Sequence, residues 1–213
     1  MASELRRQAD GSFSGALYRT TGVPLARIDG QPAANFPPTP VGVASLNFVQ
    51  ATRGTFTYTL DNVHQSRTIQ RQSFSTPTTC RPTRGDRLDA TNYQDLWWQP
   101  SEPGWGLNVA HQGETLFATW FTYGEDGRGQ WLVASDVRRQ PTGEYRGRLY
   151  RTQGVYFAAI AGAATSTPPV DVGEVTLTFA NGENGRLDYV VDGVAQSKAI
   201  QRQVFGSTRP LCR

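Results

Sequence analysis

Lysine is almost missing from this chain: Lys198 is the only one among 21 basic residues, so arginine carries nearly all the positive charge. The arginines are scattered as singles and RR pairs rather than gathered in a run, and the net charge is only +3. Despite a pI near 9.1, this pattern makes no continuous track for a phosphate backbone, and nucleic acid is not an expected partner. No apolar run approaches the roughly 18 residues of a membrane helix, so no membrane span is expected. The opening MASEL lacks the apolar core of a signal peptide. That leaves two readings: an export signal removed ahead of it, or a cytoplasmic chain. Cysteine is scarce too. Cys80 and Cys212 lie far from His64 and His111, and no CxxC spacing occurs, so zinc ligation and thiol catalysis have no support. Phosphate loops, metal-ligand clusters and a nucleophile elbow are absent as motifs, and no cofactor is expected.

What the chain has in quantity is aromatics (11%), 22 glycines and 13 prolines. That composition suits many short strands joined by tight turns. A length of 213 residues allows one large all-β domain or two small ones.

Self-similarity organises the chain. ASELRRQADGSFSGALYRTTG (Ala2–Gly22) returns as ASDVRRQPTGEYRGRLYRTQG (Ala134–Gly154), identical at 12 of 21 positions. VGVASLNF (Val41–Phe48) returns as VGEVTLTF (Val172–Phe179), and the segment Gly54–Phe74 returns as Gly185–Phe205. Cys80 and Cys212 close the two copies, which gives a period of about 132 residues. Residues 1–82 then read as the back half of a β repeat. Residues 83–213 read as a complete repeat, with a tryptophan-rich front half over 88–133 and a back half over 134–213. The two could also fold as one integrated domain. On this reading the chain is a shortened member of a longer tandem array, or its folding unit is out of phase with the repeat. The cysteines allow a Cys80–Cys212 disulfide, pairing with neighbouring copies, or two separate thiols.

Period-two runs predict strands near Ser12–Thr20, Gly42–Val49, Gly54–Leu60 and Gln65–Phe74, with a proline-rich loop (residues 30–40) after the first. The central stretch predicts Asp95–Gln99, Trp105–Gln112, Thr115–Tyr123 and Gly129–Asp136. The second back half predicts Glu144–Arg151, Gly173–Phe179, Arg186–Asp192 and Gln196–Phe205. The expected fold is therefore all-β: an antiparallel meander barrel or sandwich of about 12 strands, built from a 1.6-fold internal repeat. The four leftover strands need a partner, which makes a homodimer or neighbouring repeats plausible.

All five tryptophans (Trp97, Trp98, Trp105, Trp120, Trp131) fall between Leu96 and Val133. Alternation puts Trp105, Leu107, Val109 and His111 on one inward face. On Thr115–Tyr123 both faces are apolar. Trp120 and Trp131 read first as packing residues. Trp98, Glu102, Trp105 and His111 together suggest a corner for sugar rings or a cationic group. As a catalytic set they are thin, because no spacing places a second carboxyl opposite Glu102. The counterpart of His64 in the other copy is Ala195, so duplicated chemistry there is excluded.

The run WWQPSEPGWGLNVAHQGETLFATWFTYGEDGRGQWLV, followed by GRLYRTQG, AQSKAIQRQVF and a closing cysteine, resembles a tandem repeat of secreted proteobacterial proteins with the pattern WWNPxESGWGxNxxHQGxxxFATWFxYxxxGxxxWL. The likeness covers the complete second unit and the back half of the first. Gln99 and Pro103 depart from the Asn and Ser of that pattern. The resemblance implies export to the periplasm or beyond and a β-repeat architecture; it supplies no mechanism. Trp98, Glu102, Trp105, His111 and Trp120 match its signature positions and are the ligand-binding candidates. The expected function is a non-enzymatic extracytoplasmic module that binds a glycan or other small ligand beside the tryptophan-rich strands. The alternatives are a purely structural repeat, or a hydrolase using Glu102 and His111.

Overall fold

The computed structural model describes residues 1–2, 4–28, 36–159 and 167–213. These form fifteen strands and two single turns of 3-10 helix, Leu25–Arg27 and Phe157–Ala159. Among them no helix is long and apolar enough to cross a membrane. Most of the proline-rich loop expected over residues 30–40 lies outside the described residues. The chain divides into two compact units, Met1–Thr21 with Asn35–Gln72, and Gly22–Ala34 with Ser73–Arg213.

The first unit is an open antiparallel sheet of β1 (Arg6–Arg7), β2 (Phe13–Arg19), β3 (Thr39–Gln50), β4 (Arg53–Leu60) and β5 (Val63–Gln70), in that spatial order. β4 and β5 turn over Asp61 and Asn62, both in the left-handed region with φ of 48° and 66°. Two left-handed central residues match the twist of a tight hairpin, and Asp and Asn tolerate that conformation better than other side chains do.

The second unit holds β6 (Cys80–Thr83), β7 (Asp95–Trp98), β8 (Gly106–Gln112), β9 (Thr115–Tyr123), β10 (Gly129–Arg139), β11 (Tyr145–Arg151), β12 (Val170–Phe179), β13 (Asn184–Val191), β14 (Val194–Arg202) and β15 (Arg209–Cys212). Strands β7 to β14 run antiparallel, each beside the next. β14 returns to β7 through Gln201 opposite Trp98 and Arg202 opposite Trp97, which closes an eight-stranded meander barrel. The three very short strands β1, β6 and β15 raise the count above the expected twelve. Each of the three spans only two to four residues.

The barrel is filled rather than hollow. Leu116, Leu132, Leu177 and Leu187 are fully enclosed, and Trp97, Trp105, Trp120, Tyr145 and Tyr189 pack around them. Eight strands leave an interior just wide enough for side chains, so the large residues close it. Each buried side chain of this size contributes roughly 1.5–3 kcal/mol. One end of the barrel is stoppered by the segment 22–28. Val23 and Leu25 pack on the core, and Ile28 is part of it.

Beside the barrel, β6 and β15 form a two-stranded ladder with Cys80 directly opposite Cys212. The two sulfurs are joined in a disulfide across 132 residues of sequence. In the chain-entropy picture, closing a loop of that length is worth about 5 kcal/mol.

Candidate functional site

The sequence candidates separate into three places. At the stoppered end of the barrel, Glu102 and Lys198 form a buried ion pair at 3.0 Å. The other oxygen of Glu102 accepts a hydrogen bond from Trp105 Nε1 at 3.2 Å. Lys198 Nζ also donates to the carbonyl of Ile28, 2.8 Å away, which ties the stopper to β14. Trp105 meets Trp120 edge-to-face at 6.1 Å, and Trp120 meets Tyr189 in the same way at 4.6 Å. Burial, with the Glu102 carboxylate nearby, pushes the Tyr189 hydroxyl far above its ordinary range. Three of the five ligand candidates, Glu102, Trp105 and Trp120, are thus interior packing groups with their polar atoms or ring faces already engaged.

His111 is brought to the far end of β8. Six residues of extended strand separate it from Trp105, roughly 20 Å at about 3.3 Å per residue. Its Nδ1 accepts from the Tyr93 amide at 3.0 Å, and its Nε2 donates to the Gly113 carbonyl at 2.9 Å. The ring stacks on Tyr93, which itself stacks on Phe179 with centroids 3.8 Å apart. Burial holds the imidazole below its ordinary pKa, and the same cause raises the Tyr145 hydroxyl to about 12. A cavity of about 470 Å³ opens beside this cluster, lined by Thr78, Asn92, Tyr93, His111, Arg139 and Tyr145 among others. Both ring nitrogens of His111 are committed to backbone groups, so neither is free to move a proton for a substrate. The structure does not bring Glu102 and His111 together.

Trp98 alone of the five faces outward. Trp97 is turned in, with its Nε1 donating to the Tyr93 carbonyl at 2.9 Å, and alternation sends Trp98 to the outer wall. There it stands beside Gly106: a Cβ placed on that glycine would lie 4.0 Å from the Cβ of Trp98. Gly106 is directly opposite Phe121 on β9, and Phe121 is opposite Trp131 on β10. Phe121 is 48% exposed and Trp131 is 55% exposed. Trp131 Nε1 donates to Thr152 Oγ1 at 3.0 Å. On the other side Trp98 is paired with Gln201, and Gln201 with Asn184, both exposed.

One lateral row therefore crosses the outer wall: Asn184, Gln201, Trp98, Gly106, Phe121, Trp131, Thr152. Its aromatic middle carries no charge and is floored by a glycine, while its ends are amides and a hydroxyl. From Trp98 to Trp131 it spans three strand spacings, about 14 Å. No family model, curated protein or solved structure matches the chain. Among the described residues, no group of three or more His, Cys, Asp or Glu is placed to hold a metal ion.

Sequence reasoning missed two things here. The reading of Trp131 as a packing residue fails because β10 carries apolar residues on both faces, and Leu132 and Ala134 took the inner one. Arg87 carries no motif that marks it. It is almost fully buried and bonds both oxygens of Glu183 at 2.9 and 3.1 Å and Asp95 at 2.6 Å. Arg202 shares Asp95 and lies 5.0 Å over the Trp97 ring. Partners 96 and 107 residues away, Glu183 for Arg87 and Asp95 for Arg202, left no local pattern to read. Lys198 did leave a signal: a charged residue in phase with Ile200 on an inward face.

Proposed function

We propose that the chain is a non-enzymatic, extracytoplasmic β-repeat module that binds a neutral glycan of a cell surface along the outer row of the barrel. The observation that carries this reading is the alignment of Trp98, Phe121 and Trp131 across adjoining strands, with Gly106 between them. Aromatic faces in register, exposed at Phe121 and Trp131 and half-buried at Trp98, offer apolar surface to the C–H faces of sugar rings. The amides of Asn184 and Gln201 at one end, and the Thr152 hydroxyl at the other, supply hydrogen bonds that fix orientation. The absence of charge within the row favours a neutral ligand. Export is supported by the Cys80–Cys212 disulfide, since such bonds persist in oxidising compartments, and by the resemblance to secreted repeat proteins.

The 1.6-fold repeat belongs to the same reading. Phe13 and Phe48 meet edge-to-face at 6.5 Å, as their counterparts Tyr145 and Phe179 do at 6.1 Å. Tyr58 donates to Gln65 as Tyr189 donates to Gln196. Arg19 pairs with Asp61 as Arg151 pairs with Asp192.

The test is binding of the chain to a broad glycan array, followed by titration of the best neutral hit against Trp98→Ala and Trp131→Ala. Loss of binding with unchanged melting supports the reading. Wild-type binding to no glycan, or binding indifferent to both substitutions, overturns it. A purely structural role is the second reading, favoured by the filled barrel interior.

A further inference from the structure

Two segments of the chain share a sequence and a local shape but not a setting. GVPLARI (Gly22–Ile28) returns as GVYFAAI at residues 154–160. Each follows a strand that ends in an arginine held by an aspartate, Arg19 by Asp61 and Arg151 by Asp192. Each then makes one turn of 3-10 helix, Leu25–Arg27 in the first and Phe157–Ala159 in the second. The same bond closes both turns: the Arg27 amide donates to the Pro24 carbonyl at 2.9 Å, and the Ala159 amide to the Tyr156 carbonyl at 2.8 Å.

The first segment is docked as the stopper of the barrel. Its Gly22 amide donates to the Gly127 carbonyl at 3.0 Å, Val23 and Leu25 pack on the core, and Ile28 joins it. The second stands in the open, with Val155 40% and Tyr156 64% exposed. Exposed apolar side chains are common and would not single it out alone. The glycine ahead of them does. At Gly22 an added Cβ would lie 2.2 Å from the Tyr123 ring, so the close approach of stopper to barrel demands glycine. At Gly154 the same carbon would meet nothing within 4 Å among the described residues, and its φ lies outside the left-handed region. Glycine is needed at that place only when the segment is docked as its twin is.

We infer that residues 154–159 are a second stopper, which closes the end of another barrel of the same kind as β7 to β14. The partner is a barrel whose stopper place is vacant, since Gly22–Ile28 fills that place here. Such a barrel offers the Gly127 carbonyl and the Tyr123 ring, which already receive the first stopper. It also has room for the bulkier second version. A cavity of about 770 Å³ opens beside the docked turn, lined by Leu25, Ala26, Leu132 and Tyr189 among others, so a phenylalanine in the place of Leu25 has space to fill. Alanine in the place of Arg27 gives up only an exposed pair with Glu125 at 3.6 Å, which is worth little. The inference rests on the likeness of the two copies and not on glycan binding, which Trp98→Ala and Trp131→Ala test separately.

The experiment extends the full chain after Arg213 with a copy of Pro82–Arg213, which repeats the Arg81–Pro82 junction and adds a barrel with no stopper ahead of it except residues 154–159. Cys212→Ser in the added copy leaves no odd thiol. Hydrogen exchange at 154–159 should be about tenfold or more slower in the extended chain than in the original. Gly154→Val should abolish that slowing and leave the melting of the original chain unchanged. A second variant does not depend on the added barrel folding. Pro24→Tyr, Leu25→Phe and Arg27→Ala together give the existing stopper the second sequence, and residues 22–28 should stay as protected as before. Retained protection there supports the inference even if the added barrel fails to fold, and lost protection overturns it. A folded added barrel with 154–159 exchanging as in the original chain also overturns it. So does a lower melt for Gly154→Val in the original chain, because the glycine would then be needed where it stands. An original chain that sediments as a dimer with 154–159 already protected overturns it too, since the segment would then belong to a second copy.

Discussion

Glu102 and Lys198 meet at 3.0 Å inside the barrel, although 96 residues of sequence separate them. Each is anchored further, Glu102 by the Trp105 indole and Lys198 by the carbonyl of Ile28. One pair thus joins the turn before β8, strand β14 and the stopper segment. Removing either partner leaves a buried charge without its complement. Lys198→Met or Glu102→Leu should each lower stability by about 3–5 kcal/mol. Lys198→Met combined with Glu102→Leu should recover much of that loss. Denaturant titration of the three variants checks this, and a double variant as unstable as the sum of its parts would argue that the pair is not coupled.

The outer row predicts a separation of binding from stability. Trp98→Ala and Trp131→Ala remove side chains on the solvent side of the wall, where substitutions rarely move stability by more than about 0.5–1 kcal/mol. Trp97→Ala, one residue away but fully enclosed, should cost about 3–5 kcal/mol. Thermal melts of the three proteins, run beside the glycan titration, distinguish wall from core.

Floor height matters to the same row. Gly106→Val would push a branched side chain toward the Trp97 carbonyl, only 3.2 Å from where its Cβ must sit, and would fill the gap between Trp98 and Phe121. Glycan affinity should fall at least about tenfold, equivalent to roughly 1.4 kcal/mol. Isothermal titration of Gly106→Ala and Gly106→Val should show a graded loss. Equal affinities would mean that the ligand does not rest on this floor.

The His111 ring gives the chain a pH dependence of defined sign. Its neutral form is held by burial, and protonating Nδ1 would set a proton against the Tyr93 amide that now donates to it. The folded state therefore binds the proton less readily than the unfolded chain, whose histidine titrates near 6.5. This contribution to stability is fully present above that value, and is lost as pH falls below it toward the lower folded pKa. Unfolding midpoints measured from pH 8 to pH 5 should decline in the acid half, and His111→Asn should flatten that decline.

Breaking the Cys80–Cys212 bond relaxes a long loop in the unfolded chain. Cys80→Ser with Cys212→Ser should lower stability by about 2–5 kcal/mol. A reductant should shift the wild-type melt by a similar amount and leave the double variant where it was.

Much of the architecture was legible in the residues, because period-two alternation is a direct image of a half-buried strand. Leu107, Val109 and His111 point inward as that pattern requires, and the eight strands from Asp95 to Arg202 close in chain order. The site was less legible for a physical reason. A tryptophan serves either a core or a ligand by its size, and the two demands leave the same letter. Trp105 and Trp120 fill the interior while Trp131 lies outside it, and only the phase of each strand tells them apart. Where both phases are apolar, as at Phe121 and Trp131, sequence gives no phase to read.

The bond between Cys80 and Cys212 has a further arithmetic consequence. On the proposed repeat, the two cysteines sit at the same place in successive copies, so the bond uses up one thiol from each. A chain lengthened by single copies would alternate between complete pairing and one sulfur left over. Lengthening by two copies at a time would keep every sulfur occupied. Parity, rather than length, would then decide whether such a chain carries a reactive thiol.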